Sequence, residues 1–117
     1  METRSEAVTC LCDESEVAEG GSKKFIVNGS EILVLKINGS FQAIESFCPH
    51  AYSDFSLGRI NARAGTIKCP NHGAVFDLKN GKALCGPFGV DGEILPSLTF
   101  FELRVSNGKV FLIREAS

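Results

Sequence analysis

Two short segments of the chain each combine a cysteine with a histidine. Cys48 and His50 are separated by one residue, and Cys69 and His72 by two, so the spacings are C-x-H and C-x-x-H. Both histidines of the chain belong to these segments. Thiolate and imidazole are ligands that suit zinc, copper and iron–sulfur clusters. We therefore predict a metal centre, and we name residues 48–50 the first clip and residues 69–73 the second clip.

Two kinds of centre use two cysteines and two histidines. Such a set closes a tetrahedral zinc site, and it also holds a Rieske 2Fe–2S cluster, in which two histidines replace two cysteines on one iron. Zinc fingers usually pair cysteine with cysteine and histidine with histidine, whereas each clip here is mixed. In the cluster, each clip gives its cysteine to one iron and its histidine to the other. The mixed pairs favour the cluster, and a structural zinc-binding interaction module is the alternative.

The first half of the chain predicts a scaffold of antiparallel strands. Asn28-Gly29 and Asn38-Gly39 separate apolar runs between Phe25 and Ile44. Asn-Gly between such runs is a strong hairpin signal, because both residues accept a positive φ. We therefore expect a three-stranded meander. Its middle strand contains the continuous apolar run Ile32–Leu35, which predicts burial on both faces.

The second half continues the all-β pattern. Short strands are predicted at Ala64–Lys68 and Ala74–Asp77, on either side of the second clip. Residues 99–105 alternate, with Phe101, Leu103 and Val105 on one face, before an Asn-Gly turn at 107–108. We expect a small antiparallel β sandwich or barrel without a helix of normal length. The acidic stretch 13–21 predicts a short helical turn or loop, and stretches 53–64 and 85–96 are the least regular.

The sequence from about residue 17 to residue 113 resembles the Rieske-type ferredoxins and related Rieske domains. The likeness depends on both clips, on Phe76-Asp77 and Gly81 after the second clip, and on Gly86-Pro87 further along. It implies one Rieske-type 2Fe–2S cluster. The implied ligands are two cysteines on the buried iron and two histidines on the outer iron: Cys48, Cys69, His50 and His72.

The resemblance also implies a domain plan. Residues 1–117 form a single Rieske-type domain, a size typical of one domain. Two loops within about residues 46–88 form a cluster-binding subdomain, and residues 8–45 and 97–114 form the basal β region.

Residues beside the ligands distinguish branches of this family. High-potential members join the two clips by a disulfide, and this chain has Ser53 and Asn71 at those positions. They also carry a serine and a tyrosine whose hydroxyls donate to cluster sulfurs, where this chain has Ala74 and Phe76. Such hydrogen bonds raise the potential. The resemblance therefore implies a potential near the low end of the Rieske range of roughly −150 to +300 mV.

A low potential suits an electron carrier that passes single electrons from a reductase to an oxygenase or similar acceptor. We do not expect an enzyme, because a nucleophile–base pair would need a histidine that is not committed to metal. An alternative with the same ligands is a small electron-transfer subunit of a larger reductase, such as nitrite reductase.

The remaining cysteines and the N-terminal sequence indicate the cellular compartment. Of the five cysteines, Cys10 and Cys12 are expected to be small buried thiols and Cys85 to pack near the cluster without binding it. Cysteines in a reducing compartment more often bind metal than form disulfides. No apolar run has the length of a membrane span, and the N-terminus resembles no export signal. We expect a cytoplasmic protein with no membrane partner.

Charge is unevenly distributed along the chain. Residues 48–85 hold five basic and two acidic side chains, a net +3, and the total of −2 leaves −5 elsewhere. This distribution would suit a partner that is acidic where it meets the cluster end, and Lys79 and Lys82 are the residues whose reversal to glutamate would test it. An ordinary mixed solvated surface is the competing interpretation. The slightly acidic balance disfavours nucleic-acid binding.

Overall fold

The computed structural model describes residues 5–46, 54–55, 58–70, 73–85 and 97–116. Ten strands and one turn of 3-10 helix, Glu14–Glu16, are found among them. The strands are β1 (Ser5–Asp13), β2 (Ser22–Val27), β3 (Ser30–Ile37), β4 (Ser40–Glu45), β5 (Arg59–Asn61), β6 (Thr66–Lys68), β7 (Val75–Asp77), β8 (Ala83–Cys85), β9 (Phe100–Ser106) and β10 (Lys109–Ala116).

The strands form two sheets. The basal sheet has six strands in the order β1-β10-β9-β4-β3-β2, and the clip sheet has four in the order β5-β6-β7-β8. Every strand pairing is antiparallel. The predicted all-β antiparallel fold is confirmed. In the part of the chain described, no helix has the length and apolar character needed to cross a membrane.

The basal sheet is built on the three Asn-Gly turns. Asn28, Asn38 and Asn107 have φ of 49°, 51° and 52°, and the glycine after each also has a positive φ. Two left-handed residues in succession give the turn twist that matches antiparallel strands. The predicted meander and the β9–β10 hairpin are confirmed.

Strand β3 separates two hydrophobic cores. Ile32, Leu33, Val34 and Leu35 are all fully buried. Leu33 and Leu35 pack in the core that also contains Cys69, while Ile32 and Val34 pack in the core formed with β1 and β10. Because successive side chains of a strand point to opposite faces, a strand between two cores must be apolar at every position. The predicted burial of this run on both faces is confirmed.

Two short strands were not predicted. β5 lies within the stretch 53–64 that the sequence marked as irregular, and β8 ends at Cys85. Each has three residues, which is too short for alternation to be recognised in a sequence. The side chain of Cys85 and residues 86–96 lie outside the described part of the chain.

One expectation about burial was wrong, that for Cys10, and the exposure of Val105 was not predicted. Val105 is 43% exposed, because β4 pairs with β9 only at Phe100 and Phe101 and leaves the far end of β9 uncovered. Cys10 is exposed while Cys12 is buried. The register of β1 shifts between these two cysteines, and a bulge of this kind turns residues that would share a face towards different surroundings.

Candidate metal centre

The second clip forms the hairpin loop between β6 and β7. Cys69 N–H donates to the carbonyl oxygen of Ala74 at 2.7 Å, which extends the β6–β7 ladder beyond Lys68 and Val75. Gly73 N–H donates back to the carbonyl oxygen of Cys69 at 3.3 Å. Gly73 has φ of +78°, a conformation that L side chains rarely adopt. The loop is therefore closed directly at its cysteine. Asn71 and His72 lie outside the described residues.

Cys69 lies at the boundary between the clip sheet and the core. It is 2% exposed and packs with Ile67, Ala74 and Phe76. Beside it is a cavity of about 340 Å³, lined among the described residues by Arg59, Lys68, Cys69 and Pro70. A thiolate is the soft donor that iron–sulfur clusters require. A buried thiol beside a cavity in a closed loop fits the inner iron of such a cluster.

The segment that contains the first clip is closed at its base. Cys48, His50 and the rest of residues 47–53 lie outside the described part, but both flanks are defined. Ser46 Oγ donates to Asp54 Oδ1 at 3.0 Å, and Phe55 N–H donates to the carbonyl oxygen of Ser46 at 3.1 Å. The chain therefore leaves and rejoins the scaffold at one point.

A lysine connects this base to the basal sheet. Lys24 Nζ on β2 donates to Asp54 Oδ2 at 2.8 Å and also pairs with the carboxylate of Glu31 on β3. The hydrogen bond with Asp54 and then that with Glu31 raise the pKa of Lys24 above its ordinary value. The lysine is therefore protonated at neutral pH, as its position between two carboxylates requires.

Two aromatic rings bring the flanks of the clips together. Phe55 follows the first clip and Phe76 follows the second, and both are buried. Their ring centroids are 5.8 Å apart with an interplanar angle of 86°. This edge-to-face arrangement is one that aromatic pairs prefer. Ser53 and Asn71, the positions of the family's disulfide, lie outside the described residues.

Sequence reasoning missed the glycine that allows this approach. A Cβ on Gly58 would lie 2.7 Å from the carbonyl oxygen of Lys68 and 3.1 Å from that of Phe55. Any side chain at residue 58 would therefore push the first-clip flank away from β6. The glycine was visible in the sequence, but nothing near it identifies its neighbour, because the contact joins residues ten apart across two elements.

Four of the five basic residues in the stretch 48–85 lie in two groups. Arg59 and Lys68 are exposed cross-strand partners in β5 and β6, directly beside Cys69. Lys79 and Lys82 lie in the β7–β8 turn, at the end of β7 away from the second clip. The pair that the sequence named is thus the more distant one, since hairpin topology places turns 69–74 and 78–82 at opposite ends of β7.

Among the described residues, Cys10 and Cys12 belong to no candidate metal site. No group of three or more His, Cys, Asp or Glu side chains suitable for a metal ion occurs in that part of the chain. Burial is the main cause that raises the pKa of the Cys12 thiol above its ordinary value. A raised pKa disfavours the thiolate that a metal needs.

Comparison with known proteins places the chain in a family. The sequence model of the Rieske [2Fe-2S] domain family matches residues 7–98. The ferredoxin component of the naphthalene 1,2-dioxygenase/salicylate 5-hydroxylase systems of Ralstonia sp is 33% identical over 106 residues, 91% of each chain. The 3-phenylpropionate/cinnamic acid dioxygenase ferredoxin subunit of Escherichia coli strain K12 is 34% identical over 101 residues, 86% of this chain and 88% of that one.

Solved structures agree on the fold. The ferredoxin of carbazole 1,9a-dioxygenase from Nocardioides aromaticivorans IC177 aligns with a TM-score of 0.76 over 90% of this chain and 95% of that one, at 22% identity. The family match covers most of the sequence, and both curated relatives are more than 30% identical along nearly all of it. This chain therefore belongs to the Rieske [2Fe–2S] domain family.

Proposed function

We propose that this protein is the ferredoxin component of a ring-dioxygenase type of system and carries single electrons from a reductase to a terminal oxygenase. The observation that supports this most strongly is the likeness to dioxygenase ferredoxins over nearly the whole chain. The likeness therefore includes both clips and the scaffold that holds them. An electron carrier also needs no substrate pocket of its own.

The ligands in this proposal are Cys48 and Cys69 on the inner iron and His50 and His72 on the outer iron. When bound, a cluster of this type exchanges one electron at a time. The burial of Cys69 beside the core supports the inner position for the cysteines. The side chains around Cys69 exclude water from that side, and the closed loop 69–74 holds the thiol in place.

Ligand replacement tests this assignment. Cys48→Ser and Cys69→Ser should abolish binding of iron and sulfide, whereas Cys12→Ser, a matched change at another buried cysteine, should leave it intact. In the dithionite-reduced wild type, EPR should show an average g value below that of an all-cysteine ferredoxin. His50→Cys or His72→Cys should raise it. A silent spectrum with stoichiometric zinc would overturn the proposal.

The potential is proposed to lie below zero, near the low end of the Rieske range at roughly −150 mV. The support is that Ala74 and Phe76 have no side-chain donor for cluster sulfurs, and that both are fully buried. Buried apolar groups leave the charge of the cluster uncompensated on that side. Redox titration measures this directly, and a midpoint above about +150 mV would contradict it.

The partner surface is proposed to be acidic where it meets the clip end. The support is the exposed pair Arg59 and Lys68 beside Cys69. Charge complementarity raises the rate of encounter, and salt screens it. Arg59→Glu with Lys68→Glu should slow reduction by the reductase or transfer to the oxygenase at low salt. The equal charge change at Lys79 and Lys82 should have the smaller effect, and equal effects would contradict the placement.

Domain plan and compartment complete the proposal. We keep a single domain, residues 1–117, with a cluster-binding region at about 46–88 and a basal β region at 8–45 and 97–114; the division into clip and basal sheets supports it. The proposed compartment is the cytoplasm. Cys10 is an exposed thiol outside any disulfide, which suits a reducing compartment. Cell fractionation tests this.

A further inference from the structure

A fully buried serine stands at the entrance of the first-clip segment. Ser46 is 0% exposed, and among the described residues it alone is both polar and buried. Its N–H donates to the carbonyl oxygen of Glu31 at 2.9 Å, and its carbonyl oxygen accepts from Phe55 N–H at 3.1 Å. Its hydroxyl donates to Asp54 Oδ1 at 3.0 Å. Buried polar groups are stable only when hydrogen-bonded, and each polar group of this residue has a partner.

Asp54 follows the same segment, and a lysine of the basal sheet holds its carboxylate. Its second carboxylate oxygen, Oδ2, accepts from Lys24 Nζ at 2.8 Å. Lys24 is itself paired with Glu31, the residue whose carbonyl accepts from Ser46. These four residues, Lys24, Glu31, Ser46 and Asp54, form a closed network that we name the clip lock. It joins β2 and β3 to both ends of residues 47–53.

We propose that the clip lock is a positioning device for the first clip, with Lys24 and Asp54 as positioning residues for the outer ligand His50. This inference rests on the proposed ligand set. A loop whose two ends are pinned has fewer conformations than one whose ends separate. Ligands held by supporting hydrogen bonds keep a narrow range of orientations. We therefore expect the lock to limit the orientations available to His50 at the outer iron.

The chain supplies a matched control for this inference. Lys23 is the neighbour of Lys24 on β2, and its Nζ pairs with Glu16 at 2.6 Å. Lys23→Met and Lys24→Met remove the same charge from the same strand; the first breaks an ion pair with Glu16, and the second breaks ion pairs with Glu31 and Asp54. Only Lys24 contacts a residue that flanks the first clip. The comparison distinguishes the effect of breaking the clip lock from the effect of losing a positive charge on β2.

The experiment measures cluster retention and EPR line shape in the loaded protein. Loss of visible absorbance under a chelator should be about fivefold faster in Lys24→Met and Asp54→Asn than in the wild type, a size expected for a charged hydrogen bond that is partly exposed. The g-value lines should broaden, because His50 then takes a wider range of orientations. Lys23→Met should match the wild type in both measurements, and Lys24→Arg should restore both.

The outcomes distinguish this inference from the proposed function. If the wild type binds no iron and sulfide, the proposed function fails. If the wild type holds the cluster but Lys24→Met and Lys23→Met lose it equally fast, with unchanged line widths, the clip lock is refuted. Faster loss without line broadening would also refute it, since that result indicates a general loss of stability and no change in ligand orientation.

Discussion

The contact between Phe55 and Phe76 predicts a measurable coupling between the two clips. The rings are buried, edge to face, with centroids 5.8 Å apart. Replacing either with leucine keeps most of the apolar surface but removes the aromatic pair. The pair contributes about 0.5–1.5 kcal/mol beyond burial, and the smaller side chain leaves a small cavity that costs more. We expect about 1–2 kcal/mol for each single variant.

The coupling itself comes from a double-mutant cycle. If the rings act on each other, Phe55→Leu with Phe76→Leu should cost about 1 kcal/mol less than the sum of the single changes. Loss of the cluster makes unfolding irreversible, so the quantity to measure is the rate of bleaching in urea under anaerobic conditions. A coupling of about 1 kcal/mol corresponds to a rate ratio of about fivefold when the contact is broken at the transition state.

A control from the other core makes the result specific. Ile32→Val, on the opposite face of β3, should cost about 0.5–1.5 kcal/mol, and its effect should add to that of Phe55→Leu without coupling. A coupling energy of zero between Phe55 and Phe76 would refute the idea that this pair ties the clips together. An equal coupling energy between Ile32 and Phe55 would show that the coupling reflects overall stability and not the contact between the rings.

Three further changes test other parts of the structure. Hydrogen bonds, first from Lys23 and then from a backbone N–H, hold the pKa of Glu16 below its ordinary value of 4.5. The stability that these bonds give is present above that value and is lost as the pH falls through the lowered pKa. The rates of bleaching in urea of the wild type and Glu16→Gln should therefore converge in acid. Iodoacetamide should modify the exposed Cys10 before the buried Cys12, by mass spectrometry. Gly73→Ala should destabilise the second clip and speed cluster loss, because alanine is strained at φ +78° by about 1–2 kcal/mol.

Each of these has its own control. A gap between wild type and Glu16→Gln that stays constant at every pH would contradict the hydrogen-bonded carboxylate. In denaturant, Cys10 and Cys12 should react alike, and equal rates in the native protein would contradict their different burial. Gly65→Ala has the same backbone strain, at φ +69°, in the β5–β6 turn away from the clip. It should lower stability without the same loss of cluster.

The sequence by itself determined the chemistry and the local structure. Cysteine and histidine at these spacings predict a metal centre, because ligand type depends on the residues alone. Asn28, Asn38 and Asn107 predict their turns, because a left-handed turn is a property of adjacent residues. The unbroken apolar run of β3 predicts a strand covered on both sides, which the two cores confirm.

Only the tertiary structure decided how the clips are held. Phe55 meets Phe76, and Lys24 meets Asp54, from separate parts of the chain, and no periodic pattern links residues that are 21 or 30 positions apart. The exposure of Cys10 depends on one bulge in β1, and that of Val105 on where the pairing between β4 and β9 stops. Such contacts are set by the packing of whole sheets. The sequence therefore predicted which residues bind the cluster, and the fold decided which residues meet at the flanks of the two clips.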